Sequence, residues 1–267
     1  MTNIDIIDKI KKEYPKNGLQ KTANIIGISL YTLKKIIKKN NIILGEKERR
    51  VEFSNFEKIN KKEVAYFLGF FWSDGAISRD EICIEIKYDD SNSILDILNK
   101  FGNWRVNNRV RKLKGKEYKQ SCIRINDKKI KNFLLENDYG NKSTTTPTKI
   151  LSLMPNDLQP YFFRGLIDGD GCFCSKNRSY FSITGTINQD WHEIENLFNY
   201  LNINYKLTLK ERKTGNSSYV VISNKKDITT LGNYIYGENY DNIGLYRKYK
   251  IYMEIKNKPI SKYSKYK

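Results

Sequence analysis

The chain has 267 residues, of which 39% are hydrophobic and 13% aromatic, enough apolar material for more than one compact core without disulfides or metals to staple it. Its 48 lysines and arginines against 30 acids leave a net charge of +18, which points to a polyanionic partner, nucleic acid first among them. An A/T-rich coding sequence would explain lysine over arginine, but not so large an excess of base over acid. Cys83, Cys122, Cys172 and Cys174 form no C-x-x-C pair and no zinc spacing with the single histidine, His192. Neither a signal peptide nor an apolar run of membrane-spanning length is visible, so the expectation is a soluble intracellular protein with reduced thiols and no membrane partner.

Residues 4–13 carry Ile4, Ile7 and Ile10 at helical spacing. The stretch 19–43 reads as a helix, a tight turn at Gly27 and a second helix with Ser29 as its N-cap. Ala23 is small where the two helices meet, and Ile28, Leu33 and Ile36 form the inner side of the second. This pattern resembles the helix-turn-helix class of DNA-binding modules. In that reading Ser29, Tyr31 and Thr32 face base edges, while Lys34, Lys35 and Lys38 face phosphates. A plain helical hairpin packed on the main body is the alternative. The charged run 44–60 lacks a clear period and is expected to be a linker with a turn or two of helix of its own, with a boundary near Val51.

Two related stretches follow: 66–77, Y-F-L-G-F-F-W-S-D-G-A-I, and 161–173, Y-F-F-R-G-L-I-D-G-D-G-C-F. Each predicts an apolar helix ending in Asp-Gly. Gly69 with Ser73, and Gly165 with Gly169, put small residues on one face of each helix, so the two backbones can pack closely. That packing would bring Asp74 and Asp170 side by side, as a divalent-metal site for phosphodiester hydrolysis requires. Gly75 and Gly171 suit a left-handed residue that stops a helix. Asp168 and Asp157 read as packing or capping residues, and Trp72 as core.

Each stretch opens a similar series of elements. Helix 61–74, strands near 76–88, a helix near 90–101, strands near 104–113 and 117–126 and helix 128–137 parallel helix 157–170, strands near 172–176 and 180–186, helix 188–201, strands near 204–212 and 217–223 and helix 225–236. A repeat of this length is a duplicated domain. The predicted fold class is α+β: two pseudo-symmetric αββαββα repeats packed through their motif helices, with a small N-terminal helical domain. The expected domains are 1–50, a linker 51–60, and repeats 61–155 and 156–267. On the strands, Arg105, Arg109 and Arg111 share a polar side, although Asn107 and Asn108 break the alternation, and Lys206, Thr208 and Lys210 share another. Such faces fit a β-ribbon in a major groove, or an ordinary solvated sheet.

The segments F-L-G-F-F-W-S-D-G (67–75) and F-R-G-L-I-D-G-D-G (163–171) resemble the two motif copies of a single-chain LAGLIDADG homing endonuclease. The second is close to the family pattern. The first departs from it at Trp72, where aspartate is usual, and at Ser73, where alanine is usual. The resemblance implies metal on Asp74 and Asp170, Mg2+ or Mn2+ as cofactor, and a basic residue near the cleavage centre after the last helix of each copy. Lys142 in G-N-K-S and Lys248 in L-Y-R-K-Y are the matching positions, with Arg247 a rival to Lys248. It further implies a monomeric enzyme of mobile-element or intron origin that cuts double-stranded DNA at a long, non-palindromic site. A non-cleaving binder on the same fold, an intron maturase with intron RNA as partner or a DNA-binding regulator, is the competing expectation.

Overall fold

A computed structural model describes residues 3–44, 53–78, 81–113, 115–176, 178–211 and 215–259. They fall into two compact units, Met1–Arg50 and Val51–Lys267. The expected boundary near Val51 and most of the charged run before it lie outside the described residues.

In the first unit, helix α1 (Asn3–Ile26) is interrupted at Gly18, whose φ of 66° and ψ of 173° are not helical. Gly27, at φ 79°, turns the chain after α1, and the amides of Gly27 and Ile28 both return to the Ala23 carbonyl at 3.0 Å. Helix α2 (Leu30–Lys39) starts from Ser29, whose Oγ accepts the Thr32 amide at 3.0 Å. Ile10, Ala23, Ile26, Leu33 and Ile42 make the core, with Ile7, Ile28 and Ile36 packed against it.

The second unit opens with helix α3 (Ser54–Glu57), inside the stretch expected to be a linker. Phe56 and Ile59 are buried in the main core, so this stretch does more than connect. The first repeat runs through α4 (Lys62–Asp74), β1 (Gly75–Ile77), β2 (Ile82–Lys87), α5 (Ser91–Leu98), β3 (Arg105–Leu113), β4 (Lys116–Ile125) and α6 (Lys128–Glu136). A short helix, α7 (Thr148–Ser152), leads to the second: α8 (Gln159–Asp170), β5 (Gly171–Cys174), β6 (Tyr180–Thr186), α9 (His192–Tyr200), β7 (Lys206–Lys210), β8 (Ser217–Ile222) and α10 (Lys225–Tyr236). The sheets have the same antiparallel order, β1-β2-β4-β3 and β5-β6-β8-β7. A last helix, α11 (Tyr246–Asn257), packs on α10 and β5 and was not foreseen in the sequence.

Alternation explains the sheets. Ile82, Ile84 and Ile86 are buried and pair across β4 with Ile125, Ile123 and Ser121, while Cys83, Glu85 and Lys87 take the other face. The two repeats also begin their last helices alike: Asp127 Oδ1 accepts the Lys129 amide at 2.9 Å, and Asn224 Oδ1 accepts the Lys226 amide at 2.9 Å. Asp157 takes no such role, because α8 is preceded by Leu158 without a side-chain cap and has proline in its first turn.

The core is organised on the seam between α4 and α8. A Cβ at Gly69 would overlap the Phe162 carbonyl oxygen, one at Gly165 would overlap the Tyr66 carbonyl oxygen and lie 2.6 Å from the Phe70 nitrogen, and one at Gly169 would overlap Ser73 Oγ. Close approach is therefore the reason for glycine at these positions. The same holds at Gly75 and Gly171, and here the expected left-handed stop is corrected. Their φ values are −74° and −84°, extended backbone that carries each helix straight into a strand. Glycine is required there because a Cβ would run into the Phe71 ring in one case and into Ile167, 2.9 Å from its Cγ2, in the other.

Gly165→Ala should lower unfolding free energy by about 3 kcal/mol, at the upper end for overpacking because backbone rather than a movable side chain stands in the way. Urea unfolding followed by circular dichroism measures it; a loss under about 1 kcal/mol would mean the helices are not held at this distance.

Candidate metal centre and nucleic-acid faces

The motif helices end together. Asp74 and Asp170 are the last residues of α4 and α8, and a Cβ at Gly169 would lie 3.3 Å from Asp74 Oδ2, which puts the Asp74 carboxylate against the final turn of α8. Asp74 is half-buried; Asp170 is open to solvent on one side and crowded by protein on the other. Burial pushes the Asp74 carboxyl above its usual range, against the pull of Lys248, Lys142 and Arg247. Burial, then the charge of Asp74, push Asp170 up to about 6, against Lys142 and Lys248. A carboxylate whose proton affinity is raised by the charge of a second one beside it is suited to sharing a cation with it.

A lysine caps each helix end. Lys142 Nζ donates to the carbonyls of Phe71 at 3.3 Å, Ser73 at 2.7 Å and Gly75 at 2.5 Å. Lys248 Nζ donates to Ile167 at 2.9 Å, Asp168 at 2.5 Å and Gly171 at 2.7 Å, with Gly169 at 3.5 Å. Phe71, Ser73 and Gly75 correspond to Ile167, Gly169 and Gly171, the Asp168 carbonyl being an additional partner of Lys248, and the ammonium groups neutralise the negative ends of both helix dipoles. Burial draws Lys142 down to about 8, opposed by Asp170 and Asp74, and burial also lowers Lys248. Between Arg247 and Lys248 the geometry favours Lys248 as the counterpart of Lys142. Arg247 instead forms an ion pair with Asp90, with Nε 2.9 Å from both carboxylate oxygens.

Asp168 is a packing residue. It is buried, and its Oδ2 accepts the Tyr66 hydroxyl at 2.8 Å and the Leu245 amide at 2.7 Å, tying α8 to α4 and to the start of α11. Trp72, in the matching place of the first repeat, is buried against Tyr139 with ring centroids 4.9 Å apart. Near Asp168 sits a further network: buried Arg164 donates to Asp241 at 2.6 Å and to the Ile235 and Ile243 carbonyls at 2.6 and 2.8 Å. A cavity of about 450 Å³ flanks Asp170 and Lys142 and is walled by Trp72, Leu166, Ile183 and Trp191.

On the open face of the first sheet, Arg105, Asn107, Arg109 and Arg111 register with Arg124, Cys122, Gln120 and Tyr118. The apparent break at Asn108 is absorbed, because its Oδ1 accepts the hydroxyl of buried Ser121 at 2.8 Å. This face is less cationic than its arginines suggest: Arg109 is paired with Glu85, Arg111 lies 3.6 Å from Glu85, and Arg124 bonds Glu81 at 2.9 Å. In the second sheet Lys206, Thr208 and Lys210 share a face with Tyr219, whose ring lies 4.7 Å from Lys210 Nζ. In the N-terminal unit Tyr31, Thr32, Lys34, Lys35 and Lys38 are all exposed, while Ser29 Oγ is already engaged with Thr32.

Among the described residues no group of three or more His, Cys, Asp or Glu could hold a metal ion, and no helix is long and apolar enough to cross a membrane. The cysteines are free, with Cys122 buried and Cys172 exposed. A cation at the seam would have two carboxylates only, so water and phosphate oxygens would complete its shell, as suits a magnesium-like ion on a phosphate substrate.

Residues 157–236 match the family model described as a LAGLIDADG-like domain, which covers the second repeat. No curated protein sequence matches the chain. Similar solved structures include I-SmaMI bound to an uncleaved DNA target in the presence of calcium ions, with a TM-score of 0.45 and 18% identity over 72% of this chain and 88% of that one. Mesophilic variants of the homing endonuclease I-DmoI give 0.42 and 17%, covering 66% and 97%. Full-length DUF199/WhiA from Thermatoga maritima gives 0.44 and 15%, covering 81% and 70%.

The raised pKa of Asp170 has a stability consequence. Because the folded state holds this proton more tightly than the unfolded chain does, the cost of ionisation is absent below the ordinary value of 3.8 and fully present above about 6. After discounting for screening of a side chain open to water, Asp170→Asn should gain about 1 kcal/mol at pH 7.5 and nothing at pH 4. Thermal unfolding at the two pH values checks this, and an equal gain at both would contradict it.

Proposed function

We propose that the chain is a site-specific double-strand DNA endonuclease, a monomer that hydrolyses phosphodiester bonds with Mg2+ or Mn2+. The observation that carries this reading is the meeting of Asp74 and Asp170 at the end of a backbone-tight seam. When bound there, the cation would supply an activated water and stabilise the leaving oxygen. Asp74 and Asp170 are its ligands. Lys142 and Lys248 hold the helix ends and keep positive charge beside both carboxylates, favouring their ionised form. Among the expected DNA contacts, Arg105, Arg109 and Arg111 form one set and Lys206, Thr208 and Lys210 another. Because the two sets differ in chemistry, the target is long and not a palindrome. Ser29, Tyr31, Thr32, Lys34, Lys35 and Lys38 act as the recognition side of a helix-turn-helix, Ser29 chiefly through its cap. Intron or mobile-element origin belongs to the same reading.

One observation favours a second reading, a non-cleaving binder such as an intron maturase or a DNA-binding regulator. The three N–H donors of Lys142 each have a carbonyl partner, so none is free for phosphate in this arrangement.

Selection of cleaved sequences from a randomised plasmid library, with Mg2+, separates the two. The nuclease reading expects a recovered site, a loss of cutting of at least about 100-fold in Asp74→Asn and Asp170→Asn, and DNA affinity within about tenfold of wild type in both. Undiminished cutting by either variant would refute the metal assignment, and binding without cutting by the wild type would favour the second reading.

A further inference from the structure

We infer that each repeat positions the helix-capping lysine of the other, through the junction between its second strand and second helix. This rests on the proposed nuclease reading for its catalytic meaning, though not for its geometry. Lys142 follows the first repeat and caps the first motif helix, yet the segment that carries it is fastened to the second repeat. Gln189 Nε2 donates to the Lys142 carbonyl at 3.1 Å and to the Thr145 carbonyl at 3.2 Å, and Thr186 Oγ1 donates to the Ser143 carbonyl at 2.7 Å. The Glu193 amide and carboxylate extend this fastening to Thr146 and Thr148, at 3.2 and 2.6 Å. Thr186 ends β6, and Gln189 lies between β6 and α9.

The other lysine repeats the arrangement with different chemistry. Lys248 follows the second repeat and caps the second motif helix, while its neighbour Arg247 is bound by Asp90 of the first repeat through two contacts of 2.9 Å and a third of 2.8 Å. Asp90 lies between β2 and α5, the place that corresponds to Gln189. It is 8% exposed, and a buried carboxylate facing a guanidinium fixes direction as well as distance. Gln189 and the Asp90–Arg247 pair are therefore positioning residues: they touch no reacting group and act through the lysines. If each lysine holds in place the helix end beside which one strand is cut, the two clamps act on different strands.

Brief acetylation of the full-length protein, followed by peptide mass spectrometry, reads both lysines at once. Arg247→Gln, a change at a half-exposed side chain, should raise modification of Lys248 about fivefold and leave Lys142 unchanged, and Arg247→Lys should restore most of the protection. Asp90→Asn should act in the same direction, while Gln189→Ala should raise Lys142 alone. On supercoiled plasmid carrying the selected site, with Mn2+, Arg247→Gln and Gln189→Ala should accumulate nicked circles cut on opposite strands. Equal rises at both lysines in either variant, no rise in any, or nicks on the same strand would overturn the inference. Segregated labelling together with a wild type that cuts no duplex would uphold the positioning and remove the nuclease reading.

Discussion

Everything in the main unit depends on two helix backbones approaching until carbonyl oxygens nearly touch the α-carbons opposite. Only glycine at Gly69 and Gly165 permits that distance, and Gly169 makes room for the Ser73 side chain. Because the contact is between backbones, it fixes the helices along their length with little slack. Their final residues then have nowhere to diverge, and two acids that would ordinarily avoid each other are held together. The electrostatic cost at this point is met by the rest of the fold, through Phe, Tyr and Trp packed along both helices and two ammonium groups at their ends, one buried and one half-buried.

Those ammonium groups show how far the internal symmetry goes. Carbonyls one, three and five residues past the same point of each motif find a lysine, although the segments that deliver the lysines differ: an irregular stretch in one repeat and the helix α11 in the other. The chemistry around them has also diverged. Asp168 lies near Lys248, while aromatic Trp72 occupies its place in the first repeat. The plan is thus shared by both repeats while its surroundings are unequal.

Much of this was legible in the sequence because its causes are local. The strands near 76–88 and 217–223, the cap at Ser29, and small residues four apart on each motif each determine one element or one contact. The failures are non-local. Helix α11 was hidden because its inward residues, Lys248, Tyr252 and Ile255, include a lysine that is buried only by its carbonyl partners. Phe56 and Ile59 were read as linker because their charged flanks mask burial that depends on aromatic partners at Phe67 and Phe101. The extended backbone at Gly75 and Gly171 shows that an Asp-Gly pair signals a need for space as readily as a need for positive φ. Asp90 and Gln189 carry no motif, and Arg164 lies within one that gives it no role; what each does arises only from what the fold places opposite it.

The proposed function requires that Asp74 and Asp170 act as one site rather than two. Manganese binding to the full-length protein with its selected duplex, followed by electron paramagnetic resonance, tests it through a double-mutant cycle of Asp74→Asn and Asp170→Asn. A shared cation predicts that either single variant loses about as much affinity as the double, a non-additivity that only residues acting as a unit display. Losses that add, with each variant keeping its own share of the binding, would mean two independent carboxylates and would contradict the account.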